Sequence, residues 1–199
     1  MNGAVYITIT NSRLNMRNSR NLSDQDIQEN RSEIIDLLRS THRPGIENVI
    51  SYLDKTGFFV VPSRPFHGSH HNWKGGLAQH SLGVYYSARR NNADGYLSDK
   101  SLIISCLLHD ICKARIYTYR PDGKFFENHL HIKGHGSRSV KLLHMLHLEL
   151  RDTEYEAIRH HMTKPSFGDR KERWNLRQIV YRSDHKDASG ANLVADFLK

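Results

Sequence analysis

The chain has 199 residues, with 29 Lys and Arg against 21 Asp and Glu, a formal net charge of +8 before its 14 histidines are counted. That length suits one compact domain, and a composition that is 38% hydrophobic and 25% charged is too rich in Leu, Ile, Val and aromatic residues for a disordered chain. Its longest apolar runs, such as Leu102 to Leu108, fall far short of the roughly 20 residues a membrane span needs, and Met1 to Thr10 lacks the basic leader and apolar core of a secretory signal. The expectation is a folded, cytoplasmic protein with no membrane partner.

Residues 1 to 21 alternate apolar and polar only from Val5 to Thr10, and read as a short edge strand or a loose arm. Residues 22 to 199 read as a single helical domain. Leu22-Ser23-Asp24 is a capping signal before Ile27, Ile34, Ile35, Leu37 and Leu38, which predicts a first helix to about Arg39. Pro44-Gly45 opens a second through Ile46, Val49, Ile50 and Leu53, stopped by Gly57. Phe58 to Val61 is short, apolar and closed by prolines. From Gly75-Gly76 a long helix runs through Leu77, His80, Val84, Tyr85 and Ala88 to the Asn91-Asn92 turn. Leu102 to Ile111 is apolar on nearly all sides and predicts the buried central helix. Arg115 to Phe126 places β-formers around Pro121-Asp122-Gly123, a hairpin. Helical periodicity returns around Val140 to Leu146, Tyr155 to Ile158 and Leu176 to Val180. The fold class is mainly α, a helical bundle with one β-hairpin.

Cys106 and Cys112 fit neither a disulfide framework nor a CxxC zinc site and read as reduced core thiols. The histidines carry more. His109-Asp110 interrupts the most apolar segment, where unpaired burial costs on the order of several kcal/mol. Either a divalent metal such as Zn²⁺, Mn²⁺ or Fe²⁺ satisfies the two groups, or they form a hydrogen-bonded core pair. Further polar groups stand in Gly75-Gly76-Leu77-Ala78-Gln79-His80, in Gly134-His135-Gly136, in His160-His161, and in Asp184-His185-Lys186-Asp187-Ala188.

The order His80, His109-Asp110, Asp184 resembles the signature of the HD superfamily of metal-dependent phosphohydrolases, from about residue 70 to 190. The flanks match too: GGL-x-x-H, an apolar run into HD-x-x-K, and a late apolar run into D-x-x-D-A. Within that superfamily the chain is most similar to the HD domain of bacterial 3′-to-5′ exoribonucleases, through His70-His71-Asn72-Trp73-Lys74-Gly75-Gly76-Leu77-Ala78-Gln79-His80. The resemblance implies a first metal held by His80, His109, Asp110 and Asp184, and places His135, His160 and His161 where dinuclear members, including the HD-GYP phosphodiesterases, have second-metal ligands. The ions implied are one or two of Mn, Fe, Zn, Ni or Mg. Met162-Thr163-Lys164-Pro165 stands where GYP would follow, against cyclic dinucleotide hydrolysis. Residues 1 to 60 read mostly helical, so the OB module of those exonucleases is not expected.

The implied chemistry is attack of a metal-activated water on phosphorus, with Asp110 bridging if two ions bind. Lys113 would meet a phosphate oxygen, and His70, His71 or His135 would serve as general acid. Substrate contacts are expected from His70, His71, Lys113, Arg170, Lys171 and Arg173, with Trp174 available to stack a base if that segment flanks the cleft. On its own, Arg170 to Trp174 reads as a solvated helix start. The expected partner is therefore a nucleotide or a short single-stranded nucleic acid. The competing function is a nucleic-acid-binding or regulatory module whose site is idle. Tyr85, Tyr86, Tyr117 and Tyr119 read as packing rather than base platforms, and His144 and His147 as solvent-facing.

Overall fold

Ser23 starts the first helix as expected: its side chain accepts the Asp26 N–H while the Asp26 carboxylate accepts the Ser23 N–H, so two otherwise orphaned donors are satisfied reciprocally. In chain order the computed structural model has α1 (Asp24–Ser40), α2 (Ile46–Lys55), α3 (Gly76–Asn91), α4 (Asp99–Leu108) and a 3-10 turn (Ile111–Arg115). The strands β1 (Tyr117–Tyr119) and β2 (Phe125–Glu127) follow, then α5 (His135–Met145), α6 (Asp152–Arg159) and α7 (Leu176–Ala188). The structure describes residues 22–64, 71–119, 122, 125–127, 134–166 and 173–189. The edge strand or arm expected over 1–21 lies outside the described residues. The protein is mainly helical, with β1 and β2 paired antiparallel in the register Tyr117 to Glu127 and Tyr119 to Phe125.

The core sits on α3 and α4. Every residue from Gly76 to Ala88 and from Ser101 to Leu108 is buried, because α7 and α4 flank α3 while α6 covers α4. Tyr85, Tyr86 and Tyr117 belong to this core, in keeping with their reading as packing residues. The four-residue apolar run Phe58 to Val61 forms a tight turn in which Phe58 and Val61 are fully covered. The central helix expected to reach Ile111 ends instead at Leu108. The His109 Nδ1–H donates to the Cys106 carbonyl at 2.8 Å, Asp110 leaves helical geometry at φ −111° and ψ 17°, and the chain tightens into the 3-10 turn. Both polar side chains thus sit at a helix end and turn inward together.

One buried ion pair ties the periphery to this core. The guanidinium of Arg43, between α1 and α2, makes two bonds of 2.7 and 2.8 Å to Glu154 of α6, whose carboxylate also accepts from Ser101 Oγ and the Arg151 N–H. Among the described residues no helix is long and apolar enough to cross a membrane.

Candidate metal centre

Five segments converge on one carboxylate, that of Asp110. His80 comes from the second turn of α3, His109 from the end of α4, His135 from the start of α5, His161 from just beyond α6, and Asp184 from α7. Two close helix approaches make this possible. A Cβ at Gly136 would lie 2.4 Å from the Arg159 carbonyl oxygen, so only a glycine there lets α5 meet the end of α6 and bring His135 beside His161. The two rings are 4.8 Å apart. A Cβ at Gly83 would lie 2.0 Å from Asp187 Oδ1, so glycine also admits the acidic face of α7 against α3.

The two oxygens of Asp110 face different sets of donors. Oδ2 lies 3.3 Å from His109 Nε2, 3.9 Å from His80 Nε2 and 2.5 Å from Lys113 Nζ. Asp184 Oδ1 closes this side, 3.2 Å from His80 Nε2 and 3.8 Å from His109 Nε2. Oδ1 of Asp110 lies 3.5 Å from His135 Nε2 and 3.6 Å from His161 Nε2. His109 and His161 each give their Nδ1 hydrogen to a backbone carbonyl, of Cys106 and Ile158, which leaves the Nε2 lone pair pointing inward. His109 Nε2, His161 Nε2 and Asp110 Oδ1 are buried without a hydrogen-bond partner. Buried polar atoms are rarely left so. Lone pairs facing one another at such distances repel unless a cation stands between them, and separations of 3.2–3.9 Å suit ligands spread about one ion at roughly 2.0–2.2 Å from each. The donor set therefore fits divalent metal.

Charges in the site follow from the same geometry. Burial works against the imidazolium of His80, but hydrogen bonds to Asp184 and Asp187 outweigh it and hold its pKa up at about 10. Burial likewise opposes ionisation of Asp110, yet Lys113 and the His109 and His161 rings keep it well below the carboxylate range. Asp184 is lowered against its burial by the His80 hydrogen bond, and Asp187 is held at about 2 by His71 and His80.

His160 is not part of this arrangement. Its ring turns out beside Glu156 at 3.6 Å with the side chain 36% exposed, whereas His161, one residue on, is fully buried. The chain leaves α6 at this point, so adjacent side chains point to opposite sides. Arg173 is likewise not brought to the site, since it is 67% exposed and extends toward Asp94 and the Tyr96 ring. His70, Arg170 and Lys171 lie outside the described residues. His71 and Lys113 do line the cleft of about 310 Å³ above the centre, with Arg64, His135, Met162 and His185. Asp187 had no assigned role in the sequence reading; its signal was the three-residue spacing from Asp184, which puts both carboxylates on one face of α7. Cys106 and Cys112 are free thiols, both pushed up by burial, Cys112 to about 11.

The HD domain family matches residues 77–189, more than half of the chain and the whole span from His80 to Asp187. No curated protein and no solved structure matches it. With the His80, His109-Asp110 and Asp184 side chains gathered in one buried site, the chain belongs to the HD domain family, whose superfamily is that of metal-dependent phosphohydrolases.

Proposed function

We propose that the protein hydrolyses a phosphoester of a nucleotide or of a short single-stranded nucleic acid, with two divalent cations at this centre. The observation that carries the reading is the division of Asp110: each of its oxygens faces its own set of inward-pointing histidine nitrogens. His80, His109, Asp110 and Asp184 would hold one ion, and His135 and His161 would share the other through Asp110. Such ions supply Lewis acidity and a water made acidic enough to attack phosphorus near neutral pH.

The chain's own groups do the rest. Lys113 Nζ, 2.5 Å from Asp110 Oδ2 and facing the cleft, is placed to meet the charge that develops on a non-bridging phosphate oxygen. Arg64 on the rim offers a second cation. His135, with its side chain 14% exposed, is more open than His80, His109, His161, Asp110 or Asp184 and is the donor a bound phosphate reaches most easily. The resemblance of the HH-x-x-x-GGL-x-x-H segment to exoribonuclease HD domains favours a nucleotide or nucleic-acid ester in this reading.

The test is metal analysis of protein purified without chelator, followed by turnover of nucleoside monophosphates, bis-p-nitrophenyl phosphate and short RNA or DNA. About two ions per chain and hydrolysis of at least one nucleotidyl ester are expected. Full metal content with no turnover of any ester would instead identify a binding or regulatory module.

A further inference from the structure

Behind the metal donors lies a second group of buried side chains. Asp187 Oδ2 accepts two imidazole N–H bonds, from His80 Nδ1 at 2.6 Å and from His71 Nε2 at 2.8 Å. These are hydrogen-bond separations, shorter than the spacing of two ligands around one tetrahedral cation at about 2.0 Å from each. The group is a relay and not another metal position. Its effect falls on His80: with the Nδ1 hydrogen given to Asp187, the nitrogen left to give up its proton for a metal is Nε2, which faces Asp184 and Asp110.

His71 is itself held on all sides. Its Nδ1 faces Gln79 Oε1 at 3.4 Å, and the same oxygen accepts the Trp73 indole N–H at 2.6 Å, which fixes the amide orientation because an indole only donates. The His71 backbone has φ 57°, in the left-handed region, and its carbonyl accepts the Ser63 N–H at 3.0 Å. A Cβ at Gly76 would lie 2.2 Å from that carbonyl. The other end of the relay rests on Gly83, whose missing side chain leaves room for Asp187 Oδ1. Glycines at both ends and a strained backbone at His71 fix four side chains that no metal would touch, Asp187, His71, Gln79 and Trp73, beyond what core packing asks of them.

We propose that Asp187, held in turn by His71, Gln79 and Trp73, is a positioning residue that fixes His80 with Nε2 directed at the metal and thereby sets the metal affinity of the centre. The inference rests on the metal-centre reading above. It concerns the residues behind the ligands, and orienting partners of this kind change metal affinity by about 10–100-fold when removed.

The experiment uses the full chain stripped with chelator and titrated with Mn²⁺ and Co²⁺, with thermal unfolding in chelator as a check that each variant is folded. Asp187→Asn should weaken binding by about 10–100-fold and shift the visible absorption of the Co²⁺ form, while unfolding like the parent. His71→Ala should weaken it less, in the same direction. His71→Gln, whose amide N–H can reach Asp187, should recover part of that loss, a rescue that simple loss of packing would not give. Unchanged affinity in a folded Asp187→Asn would overturn the relay and leave the metal centre standing. Failure of the parent to take up either metal would overturn both. Should Asp187→Asn not fold, the His71 pair decides alone: parental affinity in His71→Ala, or no recovery in His71→Gln, overturns the proposal.

Discussion

Asp110 Oδ1 and His161 Nε2 stand 3.6 Å apart, both buried and neither engaged in a hydrogen bond. Two acceptors left facing each other in a protein interior carry a desolvation cost of about 1–3 kcal/mol each. That cost is recovered when a cation fills the gap, and Asp110 is the carboxylate whose two oxygens each face a different set of histidines. Asp110→Ala should therefore lose most bound metal and all measurable hydrolysis while still folding. Metal content and turnover, measured on one preparation, check this, and a variant that keeps both would remove the assignment.

His160 and His161 make opposite predictions. Because His161 points at Asp110 and His160 at solvent beside Glu156, His161→Asn should reduce metal from about two ions per chain to about one, and His160→Asn should leave the content unchanged. Metal analysis after incubation with excess Mn²⁺ distinguishes them. The reverse order would mean that the end of α6 is turned the other way.

The ionisation of the site sets its pH dependence. His80 is raised from 6.5 to about 10, so its contribution to the stability of the metal-free protein is fully present below about pH 6.5 and lost as the pH climbs toward 10. Asp187 is lowered from 3.8 to about 2, so its contribution is present above about pH 3.8 and lost as the pH falls through 2. Denaturant midpoints in chelator should accordingly fall between pH 6 and 9 through His80, while the contribution of Asp187 stays constant over that range. A metal needs the neutral imidazole, so loading near neutral pH should release a proton and tighten as the pH rises. Proton uptake on loading in weak buffer would contradict this.

The Arg43–Glu154 pair makes a prediction about stability alone. Glu154 is fully buried and Arg43 nearly so, and removing one partner leaves the other charge uncompensated. Arg43→Ala should cost about 3–5 kcal/mol by urea unfolding, and Ser101→Ala, which removes one neutral donor to the same carboxylate, about 1 kcal/mol. Equal small losses would mean that water reaches the pair.

Much of this was legible from local signals. The Ser23 cap and the Pro44-Gly45 start of α2 act within a few residues, and the structure has helices beginning where they stand; His109-Asp110 was legible as a polar pair set in an apolar run. What escaped depends on contacts between distant segments. Whether His160 or His161 turns inward is decided by how α6 ends against α5, which rests on Gly136, and a glycine in sequence does not say which backbone approaches it. Asp187 shares a helix face with Asp184, a spacing visible in the chain, but its role depends on His71 and His80 more than a hundred residues away. The end of α4 at Leu108 follows from side chains drawn into the site, against an apolar pattern that continues to Ile111.

The cleft over the centre measures about 310 Å³, near the small end of ligand sites, with Arg64 and Lys113 among its cations. Arg173 extends away toward Asp94, and Arg182 covers a face of Trp174 with its guanidinium 4.0 Å from the ring, so among the described residues of this segment Arg173 is not aimed at the cleft and one face of Trp174 is taken. A mononucleotide and a short single-stranded oligonucleotide should then be turned over with similar kcat/KM, within about tenfold, since few phosphates beyond the scissile one are contacted and raising the salt should weaken both alike. Arg173→Ala should change neither, whereas Arg64→Ala should raise KM for both, because the rim cation meets the phosphate that every substrate carries. Turnover is compared at low and high salt for the parent and both variants. A strong oligonucleotide preference that falls with salt and is lost in Arg173→Ala would show a longer phosphate path over this face, and the protein would then be a nuclease.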